Sequence, residues 1–302
     1  MNFLLATISL LISVAFYTIL ERKILSYIQI RKGPNKVGFL GILQPFSDAM
    51  KLFNKNLVPL ELINPMLFYL TPFLSLFTMI LIISIMSFKS YPLFDNKHNI
   101  LMFFILSSIS VYFILLMGWS SNSKYCYLGS IRSIAQMISY EIFFFMIIFF
   151  IVLLSSSYSF TQMEESQSML YFFWGNILLF SMWLISCLAE TNRSPFDFAE
   201  GESELVSGFN VEYMGGWFSL IFLSEYLSML ILSMISIFMF FKSLNSIIPM
   251  MFLMLISISL IWVRGTFPRF RYDILMKLSW KLLLTTSLFI SMIPILIHMM
   301  FI

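Results

Sequence analysis

Six carboxylates fall within 24 residues of this 302-residue chain: Glu190, Asp197, Glu200, Glu202, Glu204 and Glu212, with Arg193 the one cation among them. Phe196, Phe198, Leu205, Val206 and Phe209 interleave them. Some of these acids must therefore sit beside apolar surface, which argues against a freely solvated acidic loop. Crowded carboxylates in a low dielectric raise one another's pKa. Groups poised in that way take up and pass on protons near neutral pH. Two further acids, Glu141 and Glu225, lie inside long apolar runs, and Glu190 closes another. An acid at mid-membrane costs about 2.5–3.5 kcal/mol on insertion scales, and such residues face a bundle interior and mark ion or proton paths. The plain alternative is a buried acid satisfied by its surroundings, and Tyr140 and Tyr226 stand beside two of them. No Lys or Arg lies at the centre of any apolar run, so a path through the membrane would be written in carboxylates.

Three other stretches carry charge beside aromatic residues. The first runs Glu21-Arg22-Lys23 and then Gln29 to Gly38, with a Gly33-Pro34-Asn35 turn signal and Arg31 just before it. The second, Gln44 to Phe53, places Phe46, Met50 and Phe53 at i, i+4, i+7, which predicts an amphipathic helix lying in a membrane interface. Asp48 and Lys51, three apart, can pair on its polar face. The third runs Trp262 to Asp273, includes Arg264, Arg269 and Arg271, and is followed by Lys277 and Lys281. Such a basic, aromatic juxtamembrane segment suits anionic lipid or a partner subunit; topology anchoring explains it equally well.

These stretches need elements to hold them, and composition says what kind. The chain is 60% hydrophobic and 11% charged, with a mean hydropathy of +0.91. Soluble domains average about 45–50% apolar and ~25% charged. A soluble fold, a secreted disulfide scaffold and a disordered chain are all excluded. Apolar runs near 3–20, 66–88, 100–118, 134–154, 170–189, 217–241, 247–263 and 282–302 predict about eight transmembrane helices at ~20 residues each. The expected fold is therefore all-α: a polytopic membrane protein, one domain over 1–302, with an added interfacial helix. Fifteen of the 18 Lys and Arg fall in loops 21–65, 119–133, 190–216 and 264–281. The positive-inside rule then puts these loops on the cytoplasm-like side and both termini on the other. The N-terminal run starts at once, without a basic n-region or cleavage site, so insertion without a removable presequence is expected.

The chemistry available is limited. Two cysteines, Cys126 and Cys187, and two histidines cannot hold a four-thiolate iron–sulfur cluster or a pair of haems. Phosphate loops, metal-ligand spacings and nucleophile elbows are lacking, so no metal site is expected and no complete active site resides here. A stand-alone proton or cation antiporter is the main rival from composition alone; inverted repeats and a mid-membrane Lys, common in antiporters, are not seen.

Gln29-Ile-Arg-Lys-Gly-Pro-Asn-Lys-Val-Gly38 with Gln44-Pro-Phe-Ser-Asp48 resembles one signature of the subunit 1 family of NADH:ubiquinone oxidoreductase, respiratory complex I. Pro195 to Tyr213 resembles the second signature. Trp119-Ser-Ser-Asn122 and Arg264 to Asp273 are similar to further family segments. The Phe-, Ile- and Met-rich composition resembles the mitochondrially encoded type. The resemblance implies a subunit in the inner mitochondrial membrane, under the peripheral arm, forming much of the ubiquinone access tunnel. It implies ubiquinone as substrate and iron–sulfur clusters and flavin on partner subunits. The implied partners are other membrane-arm and peripheral-arm subunits and anionic lipids such as cardiolipin, with no nucleic acid. By motif position, the proton-path candidates are Glu141, Glu190, Glu200, Glu202, Glu204, Glu212 and Glu225. The tunnel-side candidates are Arg22, Arg31, Phe46, Asp48, Arg193, Asp197 and Arg269. The matching membrane subunit of a hydrogenase-type complex, which lacks the quinone, is the nearer alternative.

Overall fold

Twenty-seven residues with no proline build α1 (Asn2–Ile28), about 40 Å at 1.5 Å per residue and long enough to cross a ~30 Å hydrocarbon core. The computed structural model describes residues 2–56, 62–88, 91–92, 96–242 and 247–301. A 3₁₀ turn (Phe39–Gly41) leads to the short α2 (Gln44–Phe53). Pro65 and Asn64 open α3 (Pro65–Ile85), where proline suits the first turn because its missing N–H would be unpaired anyway. Next come α4 (Asn99–Ser120), the 32-residue α5 (Lys124–Ser155), α6 (Phe160–Ser166), α7 (Phe172–Gly175) and α8 (Ile177–Glu190). The acidic stretch follows, with one turn of α9 (Glu202–Leu205) and a 3₁₀ turn (Gly208–Asn210). The chain ends with α10 (Gly215–Phe240), α11 (Ile247–Thr266), α12 (Tyr272–Lys277), a π-turn (Leu278–Leu283) and α13 (Leu284–Phe301). One two-residue hairpin pair, Ser87–Phe88 with Tyr91–Pro92, interrupts the helices among the described residues.

Among the described residues, seven helices are long and apolar enough to span a membrane, and α8 is a shorter apolar one. The run expected at 170–189 is broken at Gly175-Asn176: Asn176 leaves helical geometry at φ −136°, ψ 48°, and its amide donates to Phe172 O at 3.3 Å. Glycine and asparagine are weak helix formers, and asparagine competes for backbone hydrogen bonds. The result is a half-length α8 of 14 residues.

Burial sorts the spans. Within the most apolar window, α5 is 56% and α10 61% buried, against 28% for α1, α11 and the last span. The first two are thus the bundle's interior and the last three its rim. The core is aromatic: Phe144 stacks on Trp183 at 4.7 Å, and Phe240, Phe241, Phe173 and Phe180 cluster at the end of α10. The amphipathic α2 packs on α1 and α10. Its Phe46 meets Phe16 edge-on at 6.1 Å while Met50 and Phe53 stay exposed. Asp48 does not pair with Lys51; it receives Arg22 at 2.9 Å and Gln44 Nε2 at 2.8 Å. A guanidinium on a neighbouring helix offers a directed fork that a flexible same-helix ammonium does not.

The four loops expected to share a side lie together: Arg132–Glu204 and Arg269–Asp197 join the second and fourth to the acidic loop, and Arg264–Glu21 joins the fourth to the first. The acidic stretch also folds tightly onto α5. Gly208 (φ +57°) lies so close to Ala199 that an added Cβ would be 1.7 Å from its carbonyl oxygen, and a Cβ on Gly129 would be 3.0 Å from Gly208 Cα. Gly208→Ala is expected to destabilise the loop by about 1–3 kcal/mol, the scale of overpacking. The amount of assembled protein on a native gel measures it, and a wild-type level would mean that the loop yields freely.

Candidate functional site

The structure gathers Glu21, Arg193, Glu225, Tyr226 and Arg264 into one buried cluster. α1 supplies Glu21, α11 supplies Arg264, α10 supplies Glu225 and Tyr226, and the turn after α8 supplies Arg193. Glu21 is 4% exposed. One of its oxygens is bonded by Arg264 Nη1, and the other accepts from Tyr226 OH at 2.6 Å. Arg193 Nη1 lies 3.9 Å from Glu21 and Nη2 lies 3.7 Å from Glu225. Its guanidinium carbon sits 4.7 Å over the Tyr226 ring. These are charge contacts rather than hydrogen bonds, and Nη2 has no hydrogen-bond partner among the described residues. Burial pulls the Arg193 pKa down, but Glu225, Tyr226, Glu21 and Glu200 together hold it above its ordinary value. Arg193 is thus a fixed cation between two buried acids.

Two cavities meet at this cluster. The larger, about 300 Å³, lies between α1, α2 and α10 and is lined by Val14, Ala15, Thr18, Arg22, Pro45, Asp48, Ala49, Leu52, Phe53, Phe218, Phe222, Leu223 and Tyr226, among others. It is an apolar slot with a charged rim, at the lower limit of ligand-pocket sizes (about 300–1,000 Å³). The smaller, about 80 Å³, lies inside the bundle between α3, α4, α5, α8 and α10. Glu190, Glu225, Asn192, Thr191 and four serines (Ser75, Ser110, Ser224, Ser228) line it beside the apolar Met79, Ile114, Met117, Met137, Phe209 and Ile221. At ~10–15 Å³ of such volume per water, it has room for several. Glu225 faces the small cavity and the next residue, Tyr226, faces the large one. Arg193 lines neither cavity but lies against both residues, within ion-pair range of Glu225 and over the Tyr226 ring.

The sequence-predicted residues divide around these features. Glu190 and Glu225 line the small cavity, and Glu141, half-buried on α5, lies within electrostatic range of Glu190. Glu200 and Asp197 are within range of Glu225. Asp197 bonds Arg269 at 3.0 Å and accepts the Glu200 backbone N–H at 3.3 Å. Glu204 is turned outward to Arg132 at 2.5 Å, and Glu212 is half-buried at the loop's end. The Glu202 side chain lies outside the described residues. Arg22 and Asp48 line the large cavity, whereas Phe46 stands at its flank and Arg31 is exposed in the loop beyond it. Tyr226 satisfies Glu21 rather than the adjacent Glu225, and Tyr140 packs on Phe196. Sequence reasoning missed Glu21 and Arg264 as site residues. Their signal was an acid and a base next to apolar runs on separate segments, and nothing in one dimension pairs residues 243 positions apart.

The family described as NADH dehydrogenase matches residues 1–295. The chain belongs to this family. It is 49% identical over 286 residues to the NADH-ubiquinone oxidoreductase chain 1 of Aedes aegypti, covering 94% of this chain and 91% of that one. The corresponding chain of Locusta migratoria is 47% identical over 299 residues, covering 95% and 92%. That of Mytilus edulis is 43% identical over 286 residues, covering 93% and 92%. The resemblance read from the loop motifs is borne out at family level.

Proposed function

We propose that this chain is the quinone-channel subunit of the proton-pumping NADH–ubiquinone oxidoreductase, and that the acids beside the channel begin its proton path. The observation that carries the proposal is the placement of Glu225 and Tyr226, neighbours on α10 that open onto different cavities with Arg193 against both. The apolar slot between α1, α2 and α10 suits an isoprenoid tail arriving from lipid. Reduction of a quinone places negative charge on its head group and demands two protons. In a site that excludes water, those protons must come along ionisable side chains. Charge at the slot acts on Tyr226 and Arg193, and through Arg193 on Glu225 in the small cavity. The chain has too few cysteines to hold the electron donor's cluster, so that donor and the flavin belong to neighbouring subunits of the peripheral arm. Anionic lipids such as cardiolipin suit the exposed Lys277 and Lys281 on the last span. The protein then resides in the mitochondrial inner membrane with its charged loops toward the matrix and both termini toward the intermembrane space.

Glu190→Gln and Glu141→Gln in the assembled complex test this. Each removes an ionisable proton while keeping shape. Quinone-dependent NADH oxidation is expected to fall by about a hundredfold, the lower range for losing a proton-transfer group. NADH oxidation by a hydrophilic acceptor should persist. Full quinone-dependent turnover with coupled pumping in both variants would remove these acids from the path.

A further inference from the structure

On the loop side of the Glu190–Glu225 cavity lies a set of hydroxyl groups that the function above does not use. Tyr213 ends the acidic stretch, two residues before α10. Its ring stacks on Phe68 of α3, with centroids 4.1 Å and planes 2° apart. Its hydroxyl lies 3.4 Å from Thr71 Oγ1 and 3.4 Å from Ser120 Oγ. Thr71 and Ser120 are fully buried and Tyr213 is 4% exposed. Toward the surface, Ser120 O accepts the Asn64 N–H at 3.0 Å, and both Asn64 and Asn122 are exposed. Toward the interior, Ser75 follows Thr71 by one turn of α3. Its hydroxyl lies 3.5 Å from Ser224 Oγ, and both serines line the cavity that holds Glu225. A row of buried hydroxyls thus lies between the exposed Asn64 and Asn122 and the acidic cavity, on the α3–α4 side and away from the apolar slot.

Serines in membrane helices ordinarily bond back to their own helix, and Ser75, Ser120 and Ser224 each do so. Thr71 differs: among the described residues its hydroxyl bonds only to Tyr213. In both Tyr213 pairs either oxygen can be the donor. A hydroxyl free to donate to either neighbour passes a proton on by accepting one and releasing its own. Burial raises the Tyr213 pKa, and its bonds to Ser120 and Thr71 pull it back only in part. It therefore stays protonated and conducts by exchange, without storing charge.

We propose that Tyr213, with Thr71 and Ser120, forms a proton inlet from the loop face into the Glu190–Glu225 cavity, separate from the quinone slot. The proposal rests on the reading above that the cavity acids carry protons. The one-turn step from Thr71 to Ser75, about 5–6 Å, is the span of one bridging water. No bond to carbon changes. One proton leaves loop-side water, each O–H along the row is exchanged for the next, and one proton arrives at a cavity carboxylate.

Tyr213→Phe keeps the stacked ring and deletes only the hydroxyl. In the whole complex reconstituted in phospholipid vesicles, quinone-dependent turnover and proton translocation are expected to fall together by about a hundredfold, as for loss of a proton-transfer group. The solvent deuterium isotope effect should rise, and NADH oxidation by a hydrophilic acceptor should be unchanged. Thr71→Val should do the same and Thr71→Ser should restore turnover. Phe68→Leu removes the stack but leaves the hydroxyls, and is expected to be nearly silent. The inlet is overturned if Tyr213→Phe turns over normally with an unchanged isotope effect. It is overturned equally if Phe68→Leu reproduces the Tyr213→Phe defect, which would make Tyr213 a loop anchor. A silent Tyr213→Phe beside an inactive Glu190→Gln rejects the inlet alone; silence in Glu190→Gln, Glu141→Gln and Tyr213→Phe rejects the cavity acids as carriers.

Discussion

Arg193→Leu is expected to abolish quinone-dependent NADH oxidation and to lower the amount of assembled complex. Arg193 is 8% exposed and lies within ion-pair range of both Glu21 and Glu225. Removing one partner of a buried charge pair costs about 3–5 kcal/mol because the other charge stays behind. Here Glu225 would lose the one ion pair recorded for it among the described residues, and Tyr226 would lose the cation over its ring. Glu21 would keep Arg264 and Tyr226, so the damage should concentrate on the Glu225 side, facing the small cavity. Arg193→Lys separates charge from shape. It keeps the cation but gives up the planar group that reaches both acids and stacks on the ring. The lysine variant is expected to assemble while its quinone-dependent rate falls about tenfold, roughly 1.4 kcal/mol and within the range of a desolvated cation–π contact. Native gels and the ratio of quinone-dependent to hydrophilic-acceptor activity read both effects. A leucine variant with wild-type values of each would show that the two cavities communicate without Arg193.

Glu21→Gln carries the second large effect. The carboxylate binds Arg264, accepts from Tyr226 and stands 3.9 Å from Arg193. Glutamine still accepts from Tyr226 but leaves two guanidinium groups near a neutral amide. Destabilisation of about 3–5 kcal/mol is expected from the stranded cation. The companion Arg264→Gln should be damaging as well, and the double substitution less so than the sum of the two. A double-mutant cycle on assembly or thermal stability should return a coupling of about 0.5–3 kcal/mol. Additive losses would mean that the pair does not act as a unit. Because Tyr226 lines the quinone-side slot, surviving Glu21→Gln complex should also show a raised KM for a short-chain quinone.

The acids illustrate how far one dimension reaches. Glu141, Glu190 and Glu225 stand out in the sequence because charge inside an apolar run is costly, and the structure brings Glu190 and Glu225 onto one cavity. Arg31 and Glu204 belong to the two signature stretches yet face outward. A motif fixes which residues are present, and only packing fixes which way each turns. Asp48 makes the same point, since its partner came from α1 across space rather than from the next turn of its own helix.

By itself the sequence determined a membrane-spanning helical chain with charged loops on one side, because backbone groups in hydrocarbon must bond within each segment and apolar length is written residue by residue. It also located the amphipathic α2, since a 3.6-residue period needs no distant contact. The tertiary structure alone decided the break at Asn176, the Glu21–Arg264 pair, the seat of Arg193 and the division of Glu225 and Tyr226 between two cavities. Those features depend on which helix faces lie against one another, and long-range electrostatic and packing energies between segments hundreds of residues apart leave no periodic trace in the chain.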